Sequence, residues 1–308
     1  MSNLSRLVVV LGATASGKSA LGIALAERLG GEILVCDSTQ VYRHFDVGTA
    51  KVPAALQRGI PHHLVDLVEP AEVFTAGEYR RRALAVLEEL RGRGRLPILT
   101  AGTGLYLRAL LEGLADAPGR SEELRERLRR KADERGPEHL HRILARVDGE
   151  AAARIAPRDT QKIIRAIEMR VLAGKPVGEI HRGGREGLAG YEVTKIGLLP
   201  PRAELYARID ARARSMIESG WIEEVRGLIA RRVAPDAKAF QFIGYSELRE
   251  HAEGRMELEE AIGSIQQATR RFAKRQITWF RKEQGVHWLS GFGDEPGIVA
   301  AALEYARA

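Results

Sequence analysis

Residues Gly12-Ala13-Thr14-Ala15-Ser16-Gly17-Lys18-Ser19 make a complete G-x-x-x-x-G-K-[ST] loop between the apolar run Leu7-Val8-Val9-Val10-Leu11 and a helical pattern. A glycine-bearing turn from a buried strand into a helix N-terminus points several backbone N–H groups into one concavity, and the helix adds its positive end. All eight residues are therefore expected to bind a diphosphate or triphosphate. Gly12 and Gly17 let the backbone turn inward, Lys18 supplies a mobile charge for the terminal phosphates, and the Ser19 hydroxyl is placed to ligate Mg²⁺.

Outward from this loop, apolar runs alternate with helical segments. Strands are predicted at 7–11, 32–36 and 96–100, and helices at 18–29 and 77–91. That alternation reads as an α/β fold, a P-loop NTPase-like parallel sheet wrapped by helices. Gly30-Gly31 closes the first helix, Thr75-Ala-Gly-Glu78 resembles a capping box for the second, and a short helix runs from Leu105 to Gly113. From 116 to 185 the texture is charged and helical with no strand signal. It reads as a helical insertion domain, leaving 1–115 and 186–308 as the core with its C-terminal helices. The insertion ends in His181-Arg-Gly-Gly-Arg-Glu-Gly-Leu-Ala-Gly190, expected to be a hinge or mobile loop. Val193 to Leu199 is a further strand returning to the sheet, and helices follow to residue 282.

The composition bounds the partners. The 308 residues are 44% hydrophobic and 29% charged, enough for a sizeable core. A net charge of +7 favours an anionic partner without separating nucleic acid, phosphate metabolites or a membrane surface. No apolar stretch approaches a membrane span and no signal-peptide plan opens the chain, so a cytoplasmic protein with no membrane partner is expected. Cys36, the single cysteine, excludes an internal disulfide and a cysteine-based zinc site. His62 and His63 are adjacent and His139 and His141 two apart, spacings that suit no helical metal pair.

A phosphate loop leaves open a nucleotide hydrolase, a small-molecule kinase and a transferase with a diphosphate leaving group. Many hydrolases end an apolar strand on an aspartate that holds the Mg²⁺ water. Here the strand at 96–100 runs into Ala101-Gly102-Thr103-Gly104, which carries a hydroxyl and no carboxylate. The carboxylate stands instead in Asp37-Ser38-Thr39-Gln40-Val41-Tyr42, at the C-terminal end of the second strand, where open parallel sheets build their sites. Asp37 can take a proton from an attacking amine or hydroxyl, and Ser38 and Gln40 can hydrogen-bond a planar base. Thr103 can bring its hydroxyl onto a phosphate oxygen.

These stretches, with Asp46-Val-Gly-Thr-Ala-Lys51, Pro61-His-His-Leu64, Gly102-Thr-Gly-Leu-Tyr106, Ile243-Gly-Tyr245 and Lys274-Arg-Gln-Ile-Thr-Trp279, closely resemble the bacterial tRNA dimethylallyltransferases, in that family's order and over nearly the whole chain. Ala13 stands where proline is usual, Ser19 where threonine is usual and Ala101 where glycine is usual. The resemblance implies transfer of a dimethylallyl group from dimethylallyl diphosphate to N6 of the adenosine at tRNA position 37, beside the anticodon, with Mg²⁺ as cofactor. It implies Lys18, Ser19 and Thr103 on the diphosphate, Asp37 as proton acceptor, and an arginine on the diphosphate. Arg208 and Arg212 both qualify, and Arg212 is the expectation.

The target adenine must leave its stack to reach a buried site, so Asp37, Ser38, Thr39, Gln40 and Thr103 are expected to read an extruded base of the tRNA anticodon loop. The resemblance also places Gln161-Lys162-Ile163-Ile164-Arg165 and Arg125 against tRNA, although Arg120–Arg135 mixes seven basic with five acidic residues and reads mostly as a solvated helix face. Residues 270–282 carry six basic residues and no acidic one. Arg271, Lys274, Arg275 and Lys282 are expected to neutralise RNA phosphates, whereas Trp279 and Phe280 are expected to be core. Nothing in the sequence calls for a partner subunit, and a monomer is expected.

Overall fold

Residues 4–307 are described, in a computed structural model. Six strands form one sheet: β1 (Ser5–Gly12), β2 (Gly31–Cys36), β3 (His62–His63), β4 (Leu96–Ala101), β5 (Tyr191–Leu198) and β6 (Val286–Leu289). Their order is β3-β2-β4-β1-β5-β6, and every pairing is parallel. Register places Val8 opposite Ile98 and Thr194, and Ile33 opposite Ile98. A parallel sheet needs both faces covered, which is why the central strands read as unbroken apolar runs.

On one face Val8, Val10, Ile33, Val35, Ile98 and Ile196 pack against Leu21 and Leu25 of α1 (Lys18–Leu29) and Ala302 and Ala306 of the C-terminal helix. Helices α2 (Ala76–Gly92) and α3 (Gly104–Glu112) follow the third and fourth strands. The Thr75 hydroxyl accepts the Glu78 amide at 3.1 Å, half of the expected capping box; Glu78 itself turns to Arg81 and Arg82. After β5, Pro200-Pro201 ends the strand and α9 (Arg202–Glu218), α10 (Trp221–Ala230), α11 (Tyr245–Ala252) and α12 (Leu258–Phe280) follow.

Sequence reading missed β3, β6 and the helix Pro296–Arg307. The first two hold two and four residues, too short for a period, and both are edge strands whose conformation is set by a neighbour.

The described residues form two compact units, one running to Leu110 and resuming at Gly190, the other Leu111–Ala189, against expected boundaries at 116 and 185. The second unit contains α4 (Glu122–Arg135), α5 (Pro137–Val147), α6 (Gly149–Arg154), α7 (Thr160–Ala173) and α8 (Val177–Arg182) around Leu124, Leu128, Leu140, Leu144, Ile163, Ile164 and Ile167. The C-terminal helix Pro296–Arg307 is α13. The glycine-rich stretch after α8 has two backbone partners at the start of the unit. Arg185 bridges Ala115 and the Leu188 amide donates to Leu111 at 2.9 Å, so the unit's two connections run paired.

Candidate active site

Strand order builds the site. Because β4 lies between β1 and β2, the three loops that leave their C-terminal ends stand side by side: the phosphate loop, Gly102–Gly104 and Asp37–Gln40. The amides of Gly102 and Thr103 both donate to Cys36 at 3.0 Å, locking the middle loop to the end of β2.

The phosphate loop is shaped for an anion. Ala15 (φ 62°) and Gly17 (φ 89°) adopt left-handed backbone, unusual for alanine and a mark of a backbone held for function. The first intrahelical bond runs from Leu21 to Gly17, leaving the amides of Gly17, Lys18 and Ser19 without a backbone acceptor. The Ser16 hydroxyl is buried with no hydrogen-bond partner, an orphan that an anion would satisfy. Segment 292–294 closes one side: the Gly293 amide donates to Ser16 at 2.9 Å, and a Cβ on Gly17 would come within 2.6 Å of that amide nitrogen.

Lys18 folds back to donate to the Ala13 carbonyl at 2.7 Å. Burial, opposed by Asp37 and aided by Arg212, brings its pKa down to about 8. Arg212, on α9, makes no hydrogen bond or ion pair among the described residues. Burial and the charge of Arg208 lower its pKa, against the pull of Asp37. Arg208 is engaged elsewhere, bidentate to Asp294 at 2.8 and 2.9 Å and stacked 4.7 Å from the Phe292 ring. Of the two arginines, Arg212 is the one free to meet a ligand.

Asp37 is half-buried. Its Oδ1 accepts the Thr39 amide at 2.9 Å and the Thr39 hydroxyl at 2.7 Å, while Oδ2 accepts nothing and points over Gly102, where a Cβ would come within 2.7 Å. The Thr103 hydroxyl accepts the Ser38 amide at 2.9 Å and lies 3.3 Å from the Ser38 hydroxyl, so it braces the Asp37 loop. The Gln40 amide nitrogen donates to the Thr49 carbonyl at 2.9 Å and the Ala50 carbonyl at 3.4 Å, which leaves its oxygen for a base.

The insertion corrects part of the expected RNA surface. Ile163 and Ile164 are buried in the insertion core and cannot offer their side chains to RNA. Arg125 is committed to Glu168 through two bonds of 2.8 and 2.7 Å, and Arg165 reaches the same carboxylate at 2.5 Å. Gln161 and Lys162 are exposed at the start of α7, where Lys162 pairs with Asp159 at 2.5 Å.

Arg271, Lys274, Arg275 and Lys282 line one groove with Thr278 and Trp279, and among the described residues none of these four cations has a carboxylate partner. Trp279 is 37% exposed, contrary to expectation; it packs over Gly104 and carries the Arg108 guanidinium 4.8 Å from its ring. Phe280 is core as expected. Sequence reading passed over Gln276, Arg108 and segment 292–294, since each matters only through partners far away in the chain.

The IPP transferase family model matches residues 40–283. The chain is 51% identical to the tRNA dimethylallyltransferase of Koribacter versatilis over 303 residues, 98% of each chain. It is 49% identical to that of Solibacter usitatus, covering 97% of each. Among solved structures it is similar to the full-length tRNA isopentenylpyrophosphate transferase of Bacillus halodurans, with 36% identity, a TM-score of 0.70 and 98% of each chain covered. It is also similar to a eukaryotic dimethylallyltransferase acting on tRNA, with 26% identity and a TM-score of 0.79 over 93% of this chain and 74% of that one.

Proposed function

The chain belongs to the IPP transferase family, and from that premise we propose how its residues divide the work. Its reaction is transfer of a dimethylallyl group from dimethylallyl diphosphate to a tRNA adenosine near the anticodon, giving N6-dimethylallyladenosine. The adenine N6 lone pair attacks the allylic carbon as its bond to oxygen breaks, the bond electrons leave with the diphosphate, and the proton lost from nitrogen must find a base.

Residues Gly12–Ser19 cradle the diphosphate. Their unpartnered amides, the orphaned Ser16 hydroxyl and Lys18 all face charge that grows on the leaving oxygen, which is where preorganised donors lower a barrier. Arg212 adds a second cation. Thr103 acts by bracing Ser38 and with it the Asp37 loop.

The donor set fits Mg²⁺. Ser19 is exposed at the start of α1 with its hydroxyl free, and no group of three carboxylate, histidine or cysteine side chains among the described residues forms a separate metal cage. Ser19 would hold the ion together with diphosphate oxygens, and the ion would neutralise charge on the leaving group.

Asp37 takes the amine proton. The observation that carries this assignment is Oδ2: one carboxylate oxygen is tied down by Thr39 and the other is unengaged, beside the phosphate loop and above Gly102. The oxygen of Gln40 and the hydroxyl of Ser38 remain to read the base. Arg271, Lys274, Arg275 and Lys282 hold RNA phosphates, and exposed Gln161 and Lys162 make the contact of the insertion. We place the reaction in the cytoplasm; no helix among the described residues is long and apolar enough to cross a membrane.

The test incubates the protein with unmodified tRNA, free AMP and labelled dimethylallyl diphosphate. Label should enter tRNA alone. Asp37→Ala should bind diphosphate nearly as the wild type while turnover falls at least about a hundredfold. Retained turnover would remove Asp37 as the base.

A further inference from the structure

One buried polar side chain has no part in these roles. Gln276 lies on the inner face of α12 between Ala273 and Phe280 and is 6% exposed. A buried amide is costly unless both its ends are satisfied. Both are, and by two different loops. Its Oε1 accepts the Thr14 amide of the phosphate loop at 2.8 Å, and its Nε2 donates to the Gly102 carbonyl at 2.8 Å. The partners fix the amide's orientation, since only the oxygen can face an N–H and only the nitrogen a carbonyl.

Gly102 lies directly under the proposed proton acceptor. A Cβ at that position would be 2.7 Å from Asp37 Oδ2 and 3.8 Å from Gln276 Nε2. One amide group therefore ties the phosphate cradle to the Gly102 loop that lies beneath Asp37. The outer face of the same helix carries Arg271, Lys274, Arg275 and Lys282, so the helix offered to RNA phosphates is also the one that holds both loops.

We propose that Gln276 is a positioning residue for the transfer: through Thr14 and Gly102 it sets the spacing between the allylic diphosphate and the base that deprotonates the adenine amine. The proposal rests on the assignments of the phosphate loop and Asp37 above. A misplacement of about 1 Å between reacting groups costs about a hundredfold in rate, and Gln276 is the direct bridge available to prevent it.

Two substitutions separate positioning from packing. Gln276→Met keeps the volume and removes both bonds. Gln276→Glu keeps the acceptor for Thr14 and donates to Gly102 only when protonated. Steady-state kinetics on tRNA should show kcat of Gln276→Met lowered about 10- to 100-fold at every pH. Its KM values should move less than about threefold, because neither substrate touches the side chain. Gln276→Glu should be as poor at high pH and gain on the wild type as pH falls, since burial beside Asp37 and a carbonyl raises the pKa of the new carboxyl into the working range.

An unchanged kcat in Gln276→Met, or a Gln276→Glu to wild-type ratio that does not move with pH, overturns the proposal. If Gln276→Met fails to fold, Gln276→Asn, one methylene too short to reach both loops, gives the same reading: wild-type kcat overturns it. Full turnover by Asp37→Ala would instead sink the assignment of the base, a result distinguishable from either.

Discussion

Lys18 has the familiar place at the end of a phosphate loop but an uncommon protonation state. Burial, opposed by Asp37 and helped by Arg212, brings its pKa down to about 8. In the free chain Lys18 loses its proton as pH rises through about 8. A bound diphosphate favours the charged form and raises that pKa again. Affinity for inorganic pyrophosphate should therefore weaken above pH 8, and binding there should take up a proton. Calorimetry in buffers of different ionisation heat measures this directly; proton-neutral binding from neutral pH to well above 8 would take Lys18 out of the cradle. Residue type and spacing singled out Lys18, Ser19 and Asp37 as candidates. They could not announce that Arg208 is held by Asp294 while Arg212 is left free.

Helix α12 has two unlike faces. Its buried side, Ala261, Ile262, Ile265, Ala273, Gln276 and Phe280, sets it against the core, and its basic residues are left outward. Free cations on a helix bind phosphates by releasing counterions, so affinity for tRNA should fall steeply with salt. Arg271→Ala combined with Arg275→Ala should weaken tRNA binding at low salt and reduce the slope of log K against log salt by about two. Fluorescence anisotropy across a salt series checks this, and an unchanged slope would mean that the groove holds no phosphate. The run of basic residues at 270–282, with no acidic residue among them, was readable in advance. The exposure of Trp279 was not, because an aromatic residue beside Phe280 looks like core until Gly104 and Arg108 are seen against it.

At the scale of the whole molecule, each of the two units has its own core, and the insertion adds a buried ion network. Glu168 is fully buried. Burial alone would raise its pKa, but hydrogen bonds from Arg125, Arg165 and the Ser121 amide outweigh that and hold it at about 2. A depressed carboxylate stabilises the fold above its unfolded pKa, and that contribution is lost as pH falls towards the folded value. The insertion should therefore lose stability between about pH 4.5 and 2. Glu168→Gln should remove this dependence and cost about 3 kcal/mol at neutral pH, since it leaves two arginines facing an uncharged amide. Leu144→Ala, in the same core, should cost about 2–5 kcal/mol without altering the acid response. Denaturant melts followed by circular dichroism test all three. Local patterns along the chain sufficed for the parallel sheet, the phosphate loop, the helical insertion and the basic stripe, because strand burial, helix period and anion-binding turns are written in neighbouring residues. Contacts between distant segments settled the rest. The burial of Ile163 and Ile164, the capture of Arg125 by Glu168 and the bridge made by Gln276 depend on which strands and helices become neighbours, and spacing along a chain carries no record of that.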